Sequence, residues 1–238
     1  MLILERIQST DVSAVILTLN SERLLEQVIR NVVDKVSKIV VIDSGSVDST
    51  LNIAFSYGCE IIMAKGDFSH LRNTGMKACA TRWVLMLDSD ELVTEEVWKR
   101  LYGLDVEGVD AITCLRVNYI GGKPCRFFSR NYVIRFLRRD KCVFEGAVHE
   151  RPIFKGKTLT LNAVIRHFPY RDWEDYRSKI LRYMDMEPKE ASSIRIRKMM
   201  RHIFRNYLLN GAWLDGATGL RLLVYSLYYQ FSLLLRVN

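Results

Sequence analysis

Four short apolar runs, each breaking off in a polar turn, constrain the fold of this chain more than any other feature. They read VSAVILTL (12–19), KIVVI (38–42), CEIIM (59–63) and WVLML (83–87). Runs of this length, greasy on both faces, suit strands of a sheet that is covered on both sides, as parallel sheets are. Helical stretches separate them: from Asn20-Ser21-Glu22 to about Val33, from Ser49 to a stop at Gly58, and over about 70–80. Strand and helix alternating in this way predict a doubly wound α/β sheet, whose ligands collect beyond the carboxyl ends of the strands. Asn20, Asp43, Asp88 and Asp90 all fall at such ends.

The fourth run ends in three carboxylates within four positions, VLMLDSDE (84–91). Asp88 and Asp90 are spaced to reach one point, and two ionised carboxylates that close repel each other unless a cation lies between them. A hard divalent ion, completed by phosphate oxygens, is the usual solution. A plainer possibility is a helix cap, with Ser89 or Asp90 capping a helix from Glu91 and Glu95 and Glu96 in its first turns.

Beyond residue 110 the regularity fades. ITCLRVNYI and YVIRFLRR read as strands around a turn at Gly121-Gly122, LTLNAVIRHF as another, and the pattern is helical from Asp172. The 238 residues suffice for one sizeable domain with a helical appendage, and 49% hydrophobic against 26% charged residues excludes disorder. Residues 1–110 carry 11 Lys+Arg against 17 Asp+Glu, a balance of −6, and residues 111–238 carry 24 against 10, a balance of +14. The second half is therefore expected to meet something anionic. Five cysteines without a CxxC spacing argue against a zinc site or disulfide framework. With no signal segment visible in MLILERIQST, a cytoplasmic location is expected.

Taken in order, AVILTLNSE, VVIDSGSVDST, LRNTGMKACATRWVLMLDSDE, YVIRFLRR, FEGAVHER and LNGAWLDGATGL resemble the motifs of family-2 glycosyltransferases of the GT-A fold. The likeness is greatest to the small bacterial branch that adds glucose to the lipopolysaccharide inner core. The resemblance implies a Rossmann-like α/β domain over 1–170, with a nucleotide-sugar half (1–110) and an acceptor half (111–170), followed by a helical segment over 171–238. It also implies a UDP-sugar donor and a divalent cation, Mg²⁺ or Mn²⁺. By the same resemblance, Asp43 takes the uracil edge, Asp88 lies near the ribose and the metal, and Asp90 binds the metal. Thr18, Asn20 and Glu22 line the nucleotide pocket. Relatives often read Thr-Lys-Asn-Glu-Glu there, so Leu19 and Ser21 depart from the pattern. Arg72 matches a basic residue that faces the diphosphate.

Transfer from a sugar nucleotide releases a diphosphate with growing negative charge, which a metal and arginines can stabilise. Arg135, Arg138 and Arg139 are candidates for that cationic wall. An inverting reaction also needs a base for the acceptor hydroxyl. FEGAVHER offers Glu150 first and Glu145 as the alternative, with His149 as a metal or phosphate ligand.

Residues 194–208 form a basic amphipathic stretch, and 222–235 are nearly all apolar between Arg221 and Arg236. Fourteen residues fall short of the roughly 20 needed to span a bilayer. Peripheral attachment to an anionic membrane surface, on the inner face of the cell membrane, is the expectation, with a glycan or glycolipid acceptor. Two other readings are a peptide or protein glycosyltransferase of the same fold and a non-enzymatic nucleic-acid binder. For the second no nucleic-acid motif is present, and no nucleic-acid partner is expected.

Overall fold

The computed structural model describes residues 6–146, 150–178, 196–197, 200–201, 203–209 and 211–235. All four apolar runs are strands: β1 (Val12–Thr18), β2 (Lys38–Asp43), β3 (Glu60–Met63) and β4 (Trp83–Asp88). Between them lie α1 (Leu25–Val32), α2 (Thr50–Ser56) and α3 (Phe68–Ala78). The chain continues through β5 (Glu91–Val93), α4 (Glu95–Leu101), β6 (Val109–Ile120) and β7 (Lys123–Arg138). Two short strands, β8 (Val143–Glu145) and β9 (Arg151–Ile153), pair antiparallel before the long β10 (Lys157–His167). The eight-stranded sheet has the order β3-β2-β1-β4-β7-β6-β10-β5. Its β3-β2-β1-β4 part is parallel, and β7 adds antiparallel to β4.

Side chains of β1 alternate between two cores, as the period of two in a strand requires. Val12, Ala14 and Ile16 join Leu25, Val28, Ile29 and Val32 of α1, while Val15 and Leu17 join Leu71 and Met76 of α3. The four α1 residues are wholly buried, each contributing about 1.5–3 kcal/mol relative to exposure. On the opposite face α3 sits close to the sheet because residue 75 is glycine. A Cβ there would come within 2.3 Å of Val15 Cγ1, so the helix could not approach the strand.

Neither the helix that stands as the alternative to a cation site at 88–91 nor the helix start expected at Asn20 is observed. Glu91 begins β5 rather than a helix capped by Ser89 or Asp90. The next helix starts only at Glu95, after Thr94. Asn31 holds the short strand by donating Nδ2 to the Val93 carbonyl (3.0 Å) and accepting its N–H (2.7 Å), a side-chain substitute for a neighbouring strand. Nor does a helix begin at Asn20. Residues 20–22 form a loop with Asn20 at φ +50°, and α1 starts at Leu25.

Compact units divide the chain at the β6–β7 hairpin. The first contains Met1–Leu115 and Tyr132–Arg166, the second Arg116–Asn131 and His167–Asn238, so the hairpin tip groups with the C-terminal part. In the second unit, Ile120, Cys125, Tyr176 and Leu222 form a small core of their own. Its longest described helix is α5 (Ala217–Leu235). Gly219 lets this helix pass the Ala212 carbonyl, which a Cβ would meet at 1.9 Å. Among the described residues, no helix is long and apolar enough to cross a membrane.

Candidate active site

Parallel register brings three strand ends level. Thr18 of β1 pairs with Asp43 of β2, and Leu17 with Asp88 of β4. Successive connections from β1 lead to β2 and β3 on one side, while β4 lies on the other. The sheet therefore changes direction between β1 and β4, the place where open α/β sheets hold their ligands.

Around Asp88 lies a chain of alternating charges. Arg72 donates from Nη2 to Asp88 Oδ1 (3.0 Å) and from Nε to Glu150 Oε1 (3.3 Å). Arg135 donates from Nη2 to Asp88 Oδ2 (2.9 Å) and forks onto Glu91 through Nε (2.7 Å) and Nη2 (2.6 Å). The order is thus Glu150–Arg72–Asp88–Arg135–Glu91. Both arginines are 7% exposed and Glu91 is fully buried, whereas the Asp88 side chain keeps 31% of its surface. Burial alone would lower the Arg135 pKa, but the carboxylates of Glu91 and Asp88 outweigh it and raise the value above the ordinary one. Arg72 Nη1 is buried and has no hydrogen-bond partner among the described residues.

Local structure explains how these side chains meet. Asp67 caps α3 by accepting the His70 N–H (2.8 Å), which sets the helix start and hence the rotation of Arg72. Arg72 and Asn73 follow Ser69 by three and four residues, so both neighbour it on the helix surface. Asn73 exchanges two 2.8 Å hydrogen bonds with the Phe144 backbone, and Ser69 donates to the Gly146 carbonyl (2.6 Å). The chain leaving β8 is thereby held against α3, and Glu150 returns to Arg72 after it.

A second cluster surrounds Asp43. Its Oδ1 accepts the N–H groups of Gly45 (2.9 Å) and Ser46 (2.8 Å), and Oδ2 accepts the hydroxyls of Thr18 (2.9 Å) and Ser46. A carboxylate has about four lone-pair sites, and all four are used. The residue has no exposed surface. Burial pushes its pKa up, but the hydrogen bonds from Ser46, Gly45 and Thr18 prevail and hold it below the ordinary value. With these four bonds Asp43 fixes the turn after β2.

That turn is stitched to the loop after β1. Ser46 Oγ accepts the Asn20 N–H (2.8 Å), Asn20 Oδ1 accepts the Val47 N–H (3.0 Å), and Thr50 Oγ1 accepts the Ser21 N–H (2.7 Å). Glu22 accepts the Ser49 N–H at 3.0 Å. These bonds satisfy residues 20–22 outside a helix, which is why α1 begins late. Ser21 Oγ and Ser89 Oγ, 2.8 Å apart, join this region to the Asp88–Asp90 turn.

Other expected site residues lie elsewhere. Arg138 pairs in register with Trp83, at the far end of β4. Five residues separate it from the Asp88 end, about 16 Å at 3.3 Å per residue. Its guanidinium binds Asp140 (3.2 Å) and lies over the Trp83 ring (5.9 Å). Arg139 Nε donates to the Thr81 carbonyl (3.1 Å) at the same end. Neither lies at the Asp88 end of β4. Glu145 is exposed on β8, opposite Arg151 in the ladder, and no described contact links it to Asp88. His149 lies outside the described residues. Conversely, Glu91 was read only as the start of a helix. Its acidic run was visible, but the cation it binds lies 44 residues away.

For a cation the chemistry of this donor set is plain. Both Asp88 oxygens already accept from an arginine, and Asp90 is half-buried in the adjoining turn. Among the described residues no three His, Cys, Asp or Glu side chains form a closed cage. Few carboxylates at an open turn suit a hard ion that takes its remaining ligands from phosphate and water.

Curated relatives include a TPR repeat-containing protein of Synechococcus elongatus, 33% identical over 171 residues. The glycosyltransferase SunS of Bacillus subtilis is 24% identical over 169 residues. These alignments cover 67% and 68% of this chain but only 42% and 39% of the relatives, so the chain spans about two fifths of their length. An uncharacterized glycosyltransferase of Rickettsia bellii is 23% identical, with 95% of this chain and 84% of the relative covered. Among solved structures, glucosyl-3-phosphoglycerate synthase of Mycobacterium tuberculosis with Mg²⁺ and UDP matches at a TM-score of 0.42 and 20% identity, covering 55% of this chain and 57% of that one. The model of the family "Glycosyl transferase family 2" matches residues 13–169, well over half of the sequence and the whole of the eight-stranded sheet except its first residue; the chain belongs to that family.

Proposed function

We propose that this protein is a glycosyltransferase that moves a hexose, glucose by the sequence resemblance, from a UDP-sugar to a saccharide acceptor with inversion at the anomeric carbon. The acceptor class is a lipopolysaccharide core or another cell-surface glycan, and the reaction uses Mg²⁺ or Mn²⁺. The observation that carries the reading is the Glu150–Arg72–Asp88 chain at the switch point of the sheet. It unites a donor-side carboxylate, a buried cation and an acceptor-side carboxylate in one contact network.

In this reading Asp90 holds the metal, which when bound supplies charge for the departing diphosphate. Asp88 faces the ribose, and the loop of Thr18, Asn20 and Glu22 borders the nucleotide. The spare Nη1 of Arg72 meets a diphosphate oxygen. Glu150, held by the Arg72 Nε at 3.3 Å, takes the proton of the attacking hydroxyl. Glu145 is the second choice, for it lacks any described tie to the cluster. The basic C-terminal segment and the apolar outer face of α5 attach the enzyme to the anionic inner face of the cell membrane, where a lipid-linked acceptor would be found.

A nucleotide-release screen tests the donor and metal together. UDP-, GDP- and CDP-linked hexoses are offered with Mg²⁺, Mn²⁺ or EDTA. UDP-glucose consumption that needs a divalent ion is the expected result. Turnover of another nucleotide, or turnover undiminished in EDTA, would overturn it.

A further inference from the structure

Glu91 and Arg135 form an ion pair that the fold has little energetic reason to keep. The carboxylate is fully buried and the guanidinium is 7% exposed, so both ions have left water. Replacing such a pair by apolar side chains of similar volume is often neutral or stabilising. What the pair does have is direction. A guanidinium is a rigid planar fork. Glu91 grips it by Nε and Nη2, and the same Nη2 then points at Asp88 Oδ2. Asp88 is the most exposed member of the chain, at 31% of its side-chain surface against 19% for Glu150, and Arg72 holds its other oxygen.

We propose that Glu91 and Arg135 are a positioning pair: Glu91 orients Arg135, and Arg135 fixes the carboxylate plane of Asp88 toward the donor. The inference rests on the reading of Asp88 as a donor-side residue. Neither member need touch substrate. With Glu91 neutralised, Arg135 has Asp88 as its remaining carboxylate, and Asp88 turns inward to become a full counter-ion. A cation in place of the fork, as in Arg135→Lys, keeps the charge but loses the direction.

Three variants separate this role from simple support of the core. Urea unfolding, nucleotide-sugar turnover and binding of a fluorescent UDP analogue with Mn²⁺ are measured for each. Glu91→Leu/Arg135→Met removes both buried ions and is expected to unfold at wild-type urea or later. Its turnover should nevertheless fall about 10²-fold, the scale of a 1 Å misplacement, and its Mn²⁺-dependent UDP affinity should fall too. Arg135→Lys keeps the buried cation, so it reports on direction even if the double variant does not fold; turnover should again be much reduced. Glu91→Gln should lose turnover with the kcat term affected beyond any loss of stability. A folded double variant, or Arg135→Lys, working at the wild-type rate would overturn the proposal. Wild-type turnover tests the donor reading separately, and the ratio of each variant to wild type tests the pair.

Discussion

Arg135 in the first unit is almost wholly buried and shared between two carboxylates, whereas Arg221 in the second is exposed and lies over the Trp173 ring at 5.6 Å. Apolar side chains show the same contrast. On α1 they are all turned inward, but α5 is apolar on both sides: Leu222 is 1% exposed, while Leu220, Val224, Tyr228 and Phe231 each keep about half of their surface. Those four recur at spacings of four, four and three, a single stripe along the helix. A helix that is hydrophobic all round belongs in a core or at a lipid boundary. The first unit thus closes its charges around one point, and the second leaves its apolar and basic surface open. In the proposed reading chemistry belongs to the first unit and attachment to the second, and that division can be attacked from either side.

The largest effect should come from the closed side. Glu150→Gln keeps shape and removes proton acceptance, so transfer should fall about 10²–10⁴-fold while UDP binding persists. Steady-state kinetics with a saccharide acceptor checks it. If Glu145→Gln is the inactive variant instead, the base has been assigned to the wrong carboxylate of the same loop.

Next is the turn after β2. Asp43→Ala removes an ionised acceptor of four hydrogen bonds, each such bond to a charged group being worth about 1.5–3 kcal/mol. The variant should unfold at clearly lower urea. Its pH dependence follows from the lowered pKa. The stabilisation is present above the ordinary Asp value and is lost as pH falls through the lower folded value. Wild type should therefore lose more stability than the variant on acidification below the ordinary Asp value of 3.8. Equal slopes would show that Asp43 does not carry this linkage.

On the open side the effect should be on location alone. Changing Leu220, Val224, Tyr228 and Phe231 to Ser should abolish sedimentation with anionic vesicles and spare transfer to a soluble acceptor. Arg201→Gln with Arg205→Gln should weaken that sedimentation by about 1 kcal/mol per residue at low salt. Equal binding of wild type to neutral vesicles, or a loss of transfer in the stripe variant, would break the division of labour. The smallest effect concerns the join between the two strand-end clusters. Ser21→Ala and Ser89→Ala should each cost about 0.5–1.5 kcal/mol in nucleotide affinity, and the double variant no more than either alone. Additive losses would mean that their hydroxyls act separately.

Much of this organisation could be seen in the residues. The parallel strands were legible because a buried strand must be apolar on both faces, and the strand ends located Asp88 without any contact being known. The alternative helix from Glu91 does not form, because pairing of Glu91–Val93 in the sheet outweighs its capping signals. Asp43 and Arg138 show a different limit. Sequence says that a carboxylate ends a strand, but not that Thr18 and Ser46 turn it inward. It says that YVIRFLRR is basic, but only the antiparallel register with β4 sends Arg135 to the Asp88 end and Arg138 to the other. The Arg135–Glu91 pair depended on that same register, so no local pattern could reveal it.

That register also has a consequence in time. Asp88 and Arg135 are 47 residues apart, so at about 5–20 residues per second a ribosome needs roughly 2–9 s to make the second after the first. During that interval β1 to β4 can assemble, but Glu91 cannot enter its buried position without stranding a charge. The acidic end of β4 must stay in water until β7 arrives as the neighbouring strand. Addition of β7 to β4 and closure of the Arg135 contacts with Asp88 and Glu91 are therefore one event in biosynthesis, and a nascent chain halted before Arg135 would carry every strand-end carboxylate without the cation between them.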